Sequence, residues 1–342
     1  MEKISFIIPV YNAAKYLSVC LESVRQQKGL WEAVLIDDGS RDGSDVICDE
    51  YVRKDHRFQV IHTDNHGVAS ARLKGFAQAT GTYVSFIDSD DWLEPEFLSI
   101  IAEKQSTYES DVIIVKKVDS DKRAEETKNY FYEPGCYNRQ ELRKKFYPTL
   151  LANPTCAVSE ITGSLWGKVF RRNLLEDNIQ YIDTTLFMGE DQVWLWPTLL
   201  QAEKITFCAE LLYNYRRAEG QATQRYHADL HCNYSKVIAI LRRVNREKKE
   251  YSKYDFSAQI DLMQAEFTIN IIDNEFFFHA NGWRNAYRII KNLSRNRETH
   301  EILKNISYHT FGKRGLWLFL LQRKWNIMLV LMQSLNRKLR RG

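Results

Sequence analysis

The chain has 342 residues, of which 44% are hydrophobic and 27% are charged, and its formal net charge is +4. This length suits one large domain with an extension or two domains, and the composition is that of a globular protein with a sizeable core and argues against a disordered linker. The six cysteines are scattered without a CxxC pair, which argues against a zinc knuckle or a redox pair and is typical of reduced cysteines. The sequence contains no export-sized or membrane-spanning apolar run and indicates no nucleic-acid partner.

Short apolar runs alternate with helical patterns over the first third of the chain. The predicted strands are Ile4–Val10, Ala33–Ile36, Phe58–His62, Tyr83–Ile87 and Val112–Val115. The predicted helices are Ala13–Gln27, a second that begins with Ser44 as its cap, Gly67–Thr80 and a fourth from Pro95 to about Tyr108. Alternation at this spacing predicts an α/β fold with a doubly wound, mostly parallel sheet.

The pattern weakens after Lys116, and loops with short helices are expected to about Thr162. Two helices and two short strands are predicted next, at Ser164–Leu175, Met188–Ala202, Ile205–Cys208 and Leu211–Tyr215. After about Tyr226 the chain is predicted to be almost wholly helical.

Polar segments follow three of the predicted strands, at Pro9–Asn12, Asp37–Ser40 and Asp88–Asp91. In a parallel sheet, ligands bind beyond the carboxyl ends of the strands. The carboxylates of Asp88 and Asp90 can together bind a hard cation that bridges two phosphates. The competing interpretation is a turn in which Asp91 caps the next helix.

Two further segments carry charged groups that suit a nucleotide site. Arg72 follows Gly67 in the first turns of a predicted helix, where it either pairs with a phosphate or lies on the surface. Glu190 and Asp191 begin another helix, where acids complement the helix dipole or, alternatively, supply a general base.

Taken in order, these motifs resemble the family 2 glycosyltransferases over about residues 3–220. The matching residues are Pro9-x-Tyr11-Asn12, Asp37-Asp38-Gly39-Ser40, Gly67 with Arg72 and Gly75, Phe86 to Asp91, and Glu190-Asp191. The similarity is greatest to the bacterial members that build capsular, exopolysaccharide or lipopolysaccharide glycans. It implies a GT-A fold, an inverting mechanism, a divalent metal (Mn²⁺ or Mg²⁺), a nucleotide-sugar donor (expected to be a UDP-sugar), and a glycan or lipid-linked oligosaccharide acceptor.

The resemblance also implies roles for individual residues. Those carried over to nucleotide-sugar binding are Pro9, Tyr11, Asn12, Asp38, Gly67, Arg72, Asp88 and Ser89. Among them, Asp38 would face the base, Arg72 would lie near the uracil or the diphosphate, and Asp88 would contact the ribose. Asp90 would ligate the metal. Asp191 would be the catalytic base, supported by Glu190 and Asp91.

The expected organisation is a GT-A catalytic domain over residues 1–225 and a helical C-terminal region over 226–342. Within the first, the nucleotide-sugar half spans about 1–115 and the acceptor half about 116–225. Trp166–Phe170 and Leu212–Arg216 also resemble segments of the bacterial subgroup, without an assigned role.

Two segments depart from the family pattern. Processive members carry Gln-x-x-Arg-Trp after the base, whereas Gln192–Trp196 lacks the arginine, which favours transfer of a single sugar. The usual Ser-x-Thr appears here as Gln221-Ala222-Thr223, so the donor contacts of that segment are not carried over to this chain.

The end of the chain combines basic and apolar residues. Residues 313–342 contain eight Lys and Arg residues, no Asp or Glu, and many Trp, Leu, Ile and Met residues. Such a composition predicts an interfacial helix on an anionic membrane, or alternatively a helix packed on the catalytic domain or on a partner subunit. The expected location is the cytoplasm, at the inner face of the cell membrane; self-association is left open.

Two other functions compete with glycosyl transfer. A nucleotidyltransferase of related α/β fold normally carries a Gly-rich basic loop after the first strand, and Pro9–Ala14 has neither feature. A non-catalytic nucleotide-sugar-binding protein would bind a donor without turnover, and the acids at every motif position argue against it. The absence of GxGxxG after the first strand excludes a Rossmann dehydrogenase.

Overall fold

The computed structural model describes residues 2–119, 132–157, 159, 161, 163–217, 225–278 and 282–341, without the side chains of 277–278, 282–283 and 334–341. The chain divides into two compact units. The first contains residues 1–146, 162–217 and 250–253, and the second contains 147–161, 218–249 and 254–342. The expected domain boundary at residue 225 stays a prediction, and Gln221–Thr223 lie outside the described residues.

The first unit contains one mixed sheet. Its strands are β1 (Ile4–Val10), β2 (Trp31–Asp37), β3 (Phe58–His62), β4 (Tyr83–Phe86), β5 (Trp92–Leu93), β6 (Val112–Asp119), β7 (Gly135–Asn138), β8 (Lys168–Arg171) and β9 (Lys204–Tyr215). Over the described residues their order is β3-β2-β1-β4-β8-β6-β9-β5, with β7 paired to β9. Strands β1 to β4 are parallel, β6 is parallel to β9, and β8 runs antiparallel between β4 and β6.

Helices connect and cover these strands. Those before β9 are α1 (Ala14–Arg25), α2 (Ser44–Lys54), α3 (Val68–Gln78), α4 (Phe97–Tyr108), α5 (Arg139–Lys145), α6 (Arg172–Glu176) and α7 (Glu190–Gln201). The later helices are α8 (Leu230–Glu247), α9 (Lys249–Ser252), α10 (Ser257–Asp273), α11 (Gly282–Arg295), α12 (Arg297–Asn305), α13 (Gly315–Gln322) and α14 (Asn326–Arg341). The predicted mostly parallel α/β sheet, followed by a helical region, is confirmed.

The register of the parallel strands brings their carboxyl ends to one edge of the sheet. Val10 is opposite Asp37, and Asp37 is opposite His62. Every residue of β1 and β2 is buried, as expected for parallel strands that are covered on both faces. The polar segments that follow β1, β2 and β4 therefore lie at this edge.

Helices α3 and α7 lie on the same face of the sheet. Trp194 on α7 makes edge contacts with Phe76 on α3, at 5.4 Å between ring centroids, and with Phe86 on β4, at 5.2 Å. Helix α3 approaches β1 closely, because a Cβ atom at Gly75 would come within 2.5 Å of Ile7 Cγ2. The absence of a side chain at Gly75 sets this separation.

The predicted helix over Ser164–Leu175 is wrong. The chain instead forms β8 and then the short helix α6. Gly167 has a φ of 68°, a left-handed conformation that ends any local helix. Val169 and Phe170 are then fully buried as β8 pairs with β4 and β6, so pairing within the sheet overrides the local pattern.

Two smaller expectations also differ from the structure. Ser44 is the first residue of α2 rather than its cap, and Gly43, with a φ of 92°, precedes the helix. The Ser44 hydroxyl accepts a hydrogen bond from the Ala13 N–H at 2.9 Å, so it ties α2 to the start of α1. The two short strands predicted over 205–215 form the single strand β9, whose register against β6 shifts between Ile114 and Lys117.

The second unit buries one part of the predicted interfacial segment and exposes another. On α13, Trp317, Leu318, Leu320 and Leu321 are buried. On α14, by contrast, Ile327 is 67% exposed and Leu331 is 60% exposed, and Met328 and Trp325, the residue just before α14, are also exposed. These last four residues are called the α14 face below. Among the described helices, none combines the length and the hydropathy that crossing a bilayer requires.

Candidate active site

The loops after β1 and β2 are joined by side-chain hydrogen bonds. The Asn12 N–H donates to Ser40 Oγ at 3.1 Å, and the Arg41 N–H donates to Asn12 Oδ1 at 2.9 Å. Pro9 lies buried within β1, whereas the ring of Tyr11 is 53% exposed beyond the strand end. The loops thus present Tyr11 at the sheet edge on a fixed backbone.

Asp38 connects the end of β2 to the start of α3. Its buried carboxylate accepts hydrogen bonds from the N–H groups of His66 at 2.9 Å and Gly67 at 2.8 Å. Gly67 has a φ of 87°, which favours glycine at this turn. The structure therefore shows Asp38 as the acid that orders the loop before α3, and its contact with a base stays a prediction.

The acidic segment after β4 separates into exposed and buried parts. Asp88, Ser89 and Asp90 are half-buried, whereas Asp91 is 1% exposed. Asp91 Oδ2 accepts a hydrogen bond from the Tyr213 hydroxyl at 2.6 Å, and Oδ1 accepts one from the Arg216 N–H at 2.8 Å. Burial and the nearby Asp88 charge raise the pKa of Asp91 to about 8. Asp91 thus joins the segment to the end of β9.

Arg72 brings together three acids from distant parts of the chain. Its side chain is 5% exposed, and Nη2 donates to Asp88 Oδ1 at 2.9 Å. Nη1 donates to Glu190 Oε1 at 3.1 Å and to Asp191 Oδ1. Burial opposes the charged guanidinium, but the three carboxylates raise the pKa of Arg72 well above its usual value. The predicted phosphate contact of Arg72 stays a prediction; the contacts in the structure are with these acids.

Asp191 lies in the first turn of α7, directly after the predicted support Glu190. Gly189 precedes the helix in a left-handed conformation, with a φ of 79°. Asp191 Oδ2 accepts a hydrogen bond from the Leu165 N–H at 3.1 Å. Burial, with the carboxylates of Glu190 and Asp88, raises the pKa of Asp191 to about 7 although Arg72 opposes the shift. A carboxylate with such a pKa can accept a proton near neutral pH.

Few side chains at the carboxyl edge of the sheet could ligate a metal ion. Within the part of the chain that is described, no group of three or more His, Cys, Asp and Glu side chains is arranged to hold a metal ion. Magnesium is commonly bound through one or two protein carboxylates together with substrate phosphates. Asp90 and Asp88 supply the hard oxygen atoms that such a site needs, and the Asp90 carbonyl is held by Arg216 Nε at 2.8 Å.

Several contributing residues were not predicted to belong to the site. The Tyr213 hydroxyl accepts a hydrogen bond from the Asp88 N–H at 3.3 Å while it donates to Asp91. Trp166 stacks on Tyr213 and Tyr215, at 4.9 and 5.3 Å between ring centroids. The signal in the sequence was the pair of family-like segments, Trp166–Phe170 and Leu212–Arg216, which carried no assigned role.

Comparisons with known proteins identify the family of this chain. The family model described as Glycosyl transferase family 2 matches residues 5–162. EpsH of Bacillus subtilis, which is named as a glycosyltransferase, is 30% identical over 257 residues, which cover 73% of this chain and 72% of EpsH. The glycosyltransferase GlyG of Streptococcus pneumoniae is 30% identical over 233 residues, which cover 64% of this chain and 72% of GlyG.

A solved structure shows the same fold. The S. aureus TarS fragment 1–349, in complex with UDP-GlcNAc, superposes with a TM-score of 0.63 at 23% identity, covering 98% of this chain and 91% of that one. The family model and the relatives in two bacteria lead to the same conclusion. The chain belongs to glycosyltransferase family 2, and it is a glycosyltransferase.

Proposed function

We propose that this protein transfers one sugar, with inversion, from a UDP-sugar to a hydroxyl group of a glycan or lipid-linked oligosaccharide in the synthesis of a bacterial surface polysaccharide. The observation that carries the proposal is the buried cluster at the carboxyl edge of the sheet. There, Arg72 holds Asp88, which follows β4, beside Asp191 at the start of α7. The cluster thus connects the loop after β4, which belongs to the proposed donor site, to Asp191, the candidate base.

The loops after β1, β2 and β4 are the proposed donor site. Tyr11 is exposed there for contact with a base, and the Asp38-ordered loop supports the start of α3. TarS, which shares this fold, binds UDP-GlcNAc. We take a UDP-sugar as the donor on this basis, together with the family resemblance.

Asp90 is the proposed protein ligand of a divalent metal, Mn²⁺ or Mg²⁺. The donor set fits such an ion, since Asp90 adds a hard oxygen beside Asp88 and the diphosphate of the donor would supply the remaining ligands. When bound, the metal would neutralise the charge of the departing diphosphate. The Arg216 contact with the Asp90 carbonyl fixes the backbone from which this ligand projects.

Asp191 is the proposed general base. Its carboxylate takes the proton of the acceptor hydroxyl while the hydroxyl oxygen attacks the anomeric carbon. The bond from that carbon to the diphosphate oxygen breaks in the same step, so UDP departs and the configuration inverts. Arg72 and the Leu165 N–H hold the two Asp191 oxygens in place, which keeps the base oriented towards the acceptor.

The α14 face is the proposed contact with an anionic membrane. Its exposed Trp, Ile, Met and Leu side chains lie beside Arg323 and Lys324, and the sequence of the last turns of α14 adds Arg337, Lys338, Arg340 and Arg341. Exposed apolar and basic residues together suit the interface of an anionic bilayer. This location at the cytoplasmic face of the membrane would bring the enzyme to a lipid-linked acceptor.

The test is a screen of purified protein against a panel of UDP-sugars, with and without Mn²⁺ or Mg²⁺. We expect metal-dependent release of UDP, which an acceptor accelerates, and a glycosidic product whose anomeric configuration, assigned by NMR, is opposite to that of the donor. Release of pyrophosphate from a sugar phosphate and a nucleoside triphosphate would indicate a nucleotidyltransferase instead. Donor binding without turnover would indicate a binding protein.

A further inference from the structure

Lys168 places an ammonium group in the interior of the first unit. It is the first residue of β8 and is 1% exposed. Burial of an ammonium group is costly unless its donors are satisfied. Lys168 Nζ donates to the carbonyl of Ser164 at 2.7 Å and lies 3.4 Å from the carbonyl of Trp166. The left-handed Gly167 turns the chain so that the side chain reaches back to these residues.

The two carbonyls lie on either side of Leu165, the residue that holds the candidate base. The Leu165 N–H donates to Asp191 Oδ2 at 3.1 Å. Fixing the carbonyls of residues 164 and 166 therefore fixes the backbone between them and, with it, the direction of this N–H group. The contact with Asp191 depends on a loop whose conformation Lys168 sets.

Charged groups from four elements surround Asp191. They are Arg72 on α3, Asp88 after β4, Lys168 on β8 and Glu190 beside Asp191 on α7. Arg72 binds three carboxylates, and Lys168 Nζ donates to the loop at the Ser164 carbonyl. Lys168 can thus act on the base through the backbone of this loop and through its charge.

We propose that Lys168 is a positioning residue for Asp191, which it orients by holding the loop that donates the Leu165 N–H. This inference rests on the proposed role of Asp191 as the base. Burial lowers the pKa of Lys168 to about 7, so this enclosed amine carries its positive charge mainly below pH 7 and can still donate to the loop carbonyls when it is neutral. The positioning role of Lys168 gives the family-like segment Trp166–Phe170 a function.

The test compares Lys168→Met, Asp191→Asn and the double variant with the wild type. Lys204→Met is the matched control, because this exposed lysine also donates to a main-chain carbonyl, that of Tyr108. We expect Lys168→Met to lower kcat for transfer by about 10- to 100-fold through misplacement of the base, with UDP-sugar affinity within about twofold of wild type. In the Asp191→Asn background, the same substitution should cause no further loss.

A pH profile separates positioning from mere structural support. Below about pH 7, where Lys168 is charged, its positive charge favours the Asp191 carboxylate, so its removal should move the rise of kcat with pH to higher pH. Lys168→Gln, which retains a hydrogen-bond donor without the charge, should show a smaller loss in kcat than Lys168→Met. If circular dichroism shows that Lys168→Met does not fold, Lys168→Gln replaces it in the comparison with the wild type.

Three outcomes overturn the inference. They are an unchanged kcat in Lys168→Met, an equal loss in both backgrounds, and a loss of donor affinity that matches the loss in kcat. A strongly impaired Asp191→Asn in which Lys168→Met lowers the residual rate as much as in the wild type would reject only the positioning role. Wild-type transfer by Asp191→Asn would reject the proposed base and the positioning role together.

Discussion

Arg72 and Asp191 form an ion pair although 119 positions separate them in the chain. The same guanidinium also binds Asp88 and Glu190, so one buried cation balances part of the charge of three acids. Removal of one partner from a buried pair typically costs about 3–5 kcal/mol, because an uncompensated charge stays behind. Substitutions here must therefore be close in size and polarity if they are to report on chemistry rather than on folding.

Replacement of Asp191 by Asn tests the proposed base. The amide keeps the size of the side chain but cannot take a proton, so transfer should fall by roughly 10²- to 10⁴-fold. Donor and metal affinity should stay near wild type, because the base acts on the acceptor. Donor affinity, melting temperature and transfer rate are measured on the same sample, with Glu190→Gln as the comparison that should lose less.

A different result is expected if Asp191 only caps α7. Stability would then fall by about 1 kcal/mol while folded protein retained its turnover. Transfer near the wild-type rate by folded Asp191→Asn protein would mean that another group takes the proton.

The transfer rate should depend on pH around neutrality. Burial and the neighbouring acids raise the pKa of Asp191 to about 7, and only the deprotonated carboxylate acts as a base. The rate at saturating donor and metal should therefore rise about tenfold per pH unit below pH 7 and level off above it. The profile of Asp191→Asn should be flat. A wild-type transfer rate that does not change between pH 6 and pH 8 would contradict either the raised pKa of Asp191 or its role as the general base.

Substitution of Asp90 by Ala tests the metal ligand. The variant should lose the metal-dependent part of UDP binding, measured by calorimetry with and without Mn²⁺, while its melting temperature without metal is unchanged. Glu50→Ala, which removes an exposed acid from α2, is the control and should bind as the wild type does. Equal binding of UDP and metal by Asp90→Ala and wild type would exclude Asp90 from the site.

The exposed residues of the α14 face can be substituted without removing the buried side chains of α13. Truncation after Lys313 would remove the buried side chains of α13, so we prefer the triple substitution of Ile327, Met328 and Leu331 by Ser. Each apolar side chain contributes roughly 1.5–3 kcal/mol when fully buried, so partitioning onto phosphatidylglycerol vesicles should weaken by at least about tenfold.

The control for this experiment lies on the first unit. Val19, Leu30 and Val46 are also exposed, and their replacement by Ser should leave vesicle binding unchanged. Equal partitioning of the α14 variant and wild type, in anionic and neutral vesicles alike, would indicate that α14 has no role in membrane contact.

The sequence predicted the sheet and its acidic edge because both follow from local patterns. An apolar run followed by Asp-rich turns identifies the end of a buried parallel strand, as at Asp37 and Asp88. The prediction from sequence was wrong at Ser164–Leu175, because the conformation there depends on Gly167 and on pairing with two distant strands.

The internal contacts of the site were harder to predict. The hydrogen bonds of Tyr213 to Asp88 and Asp91 cross more than a hundred residues of sequence. The contacts of Arg72 with acids similarly depend on how α3 and α7 lie against the sheet. Local patterns specify which residue types reach the edge, and the tertiary fold decides which of them pair.

Gly75 has a consequence for how far variation in this chain can be tolerated. It lies one turn after Arg72 on α3, against Ile7, with no space for a methyl group. An alanine there would push the helix outward and draw the guanidinium away from the three acids, although no charged group had changed. A mutational screen would then record a small apolar substitution within α3 as an active-site defect, and homologues with a larger residue at this position would need a smaller side chain in place of Ile7.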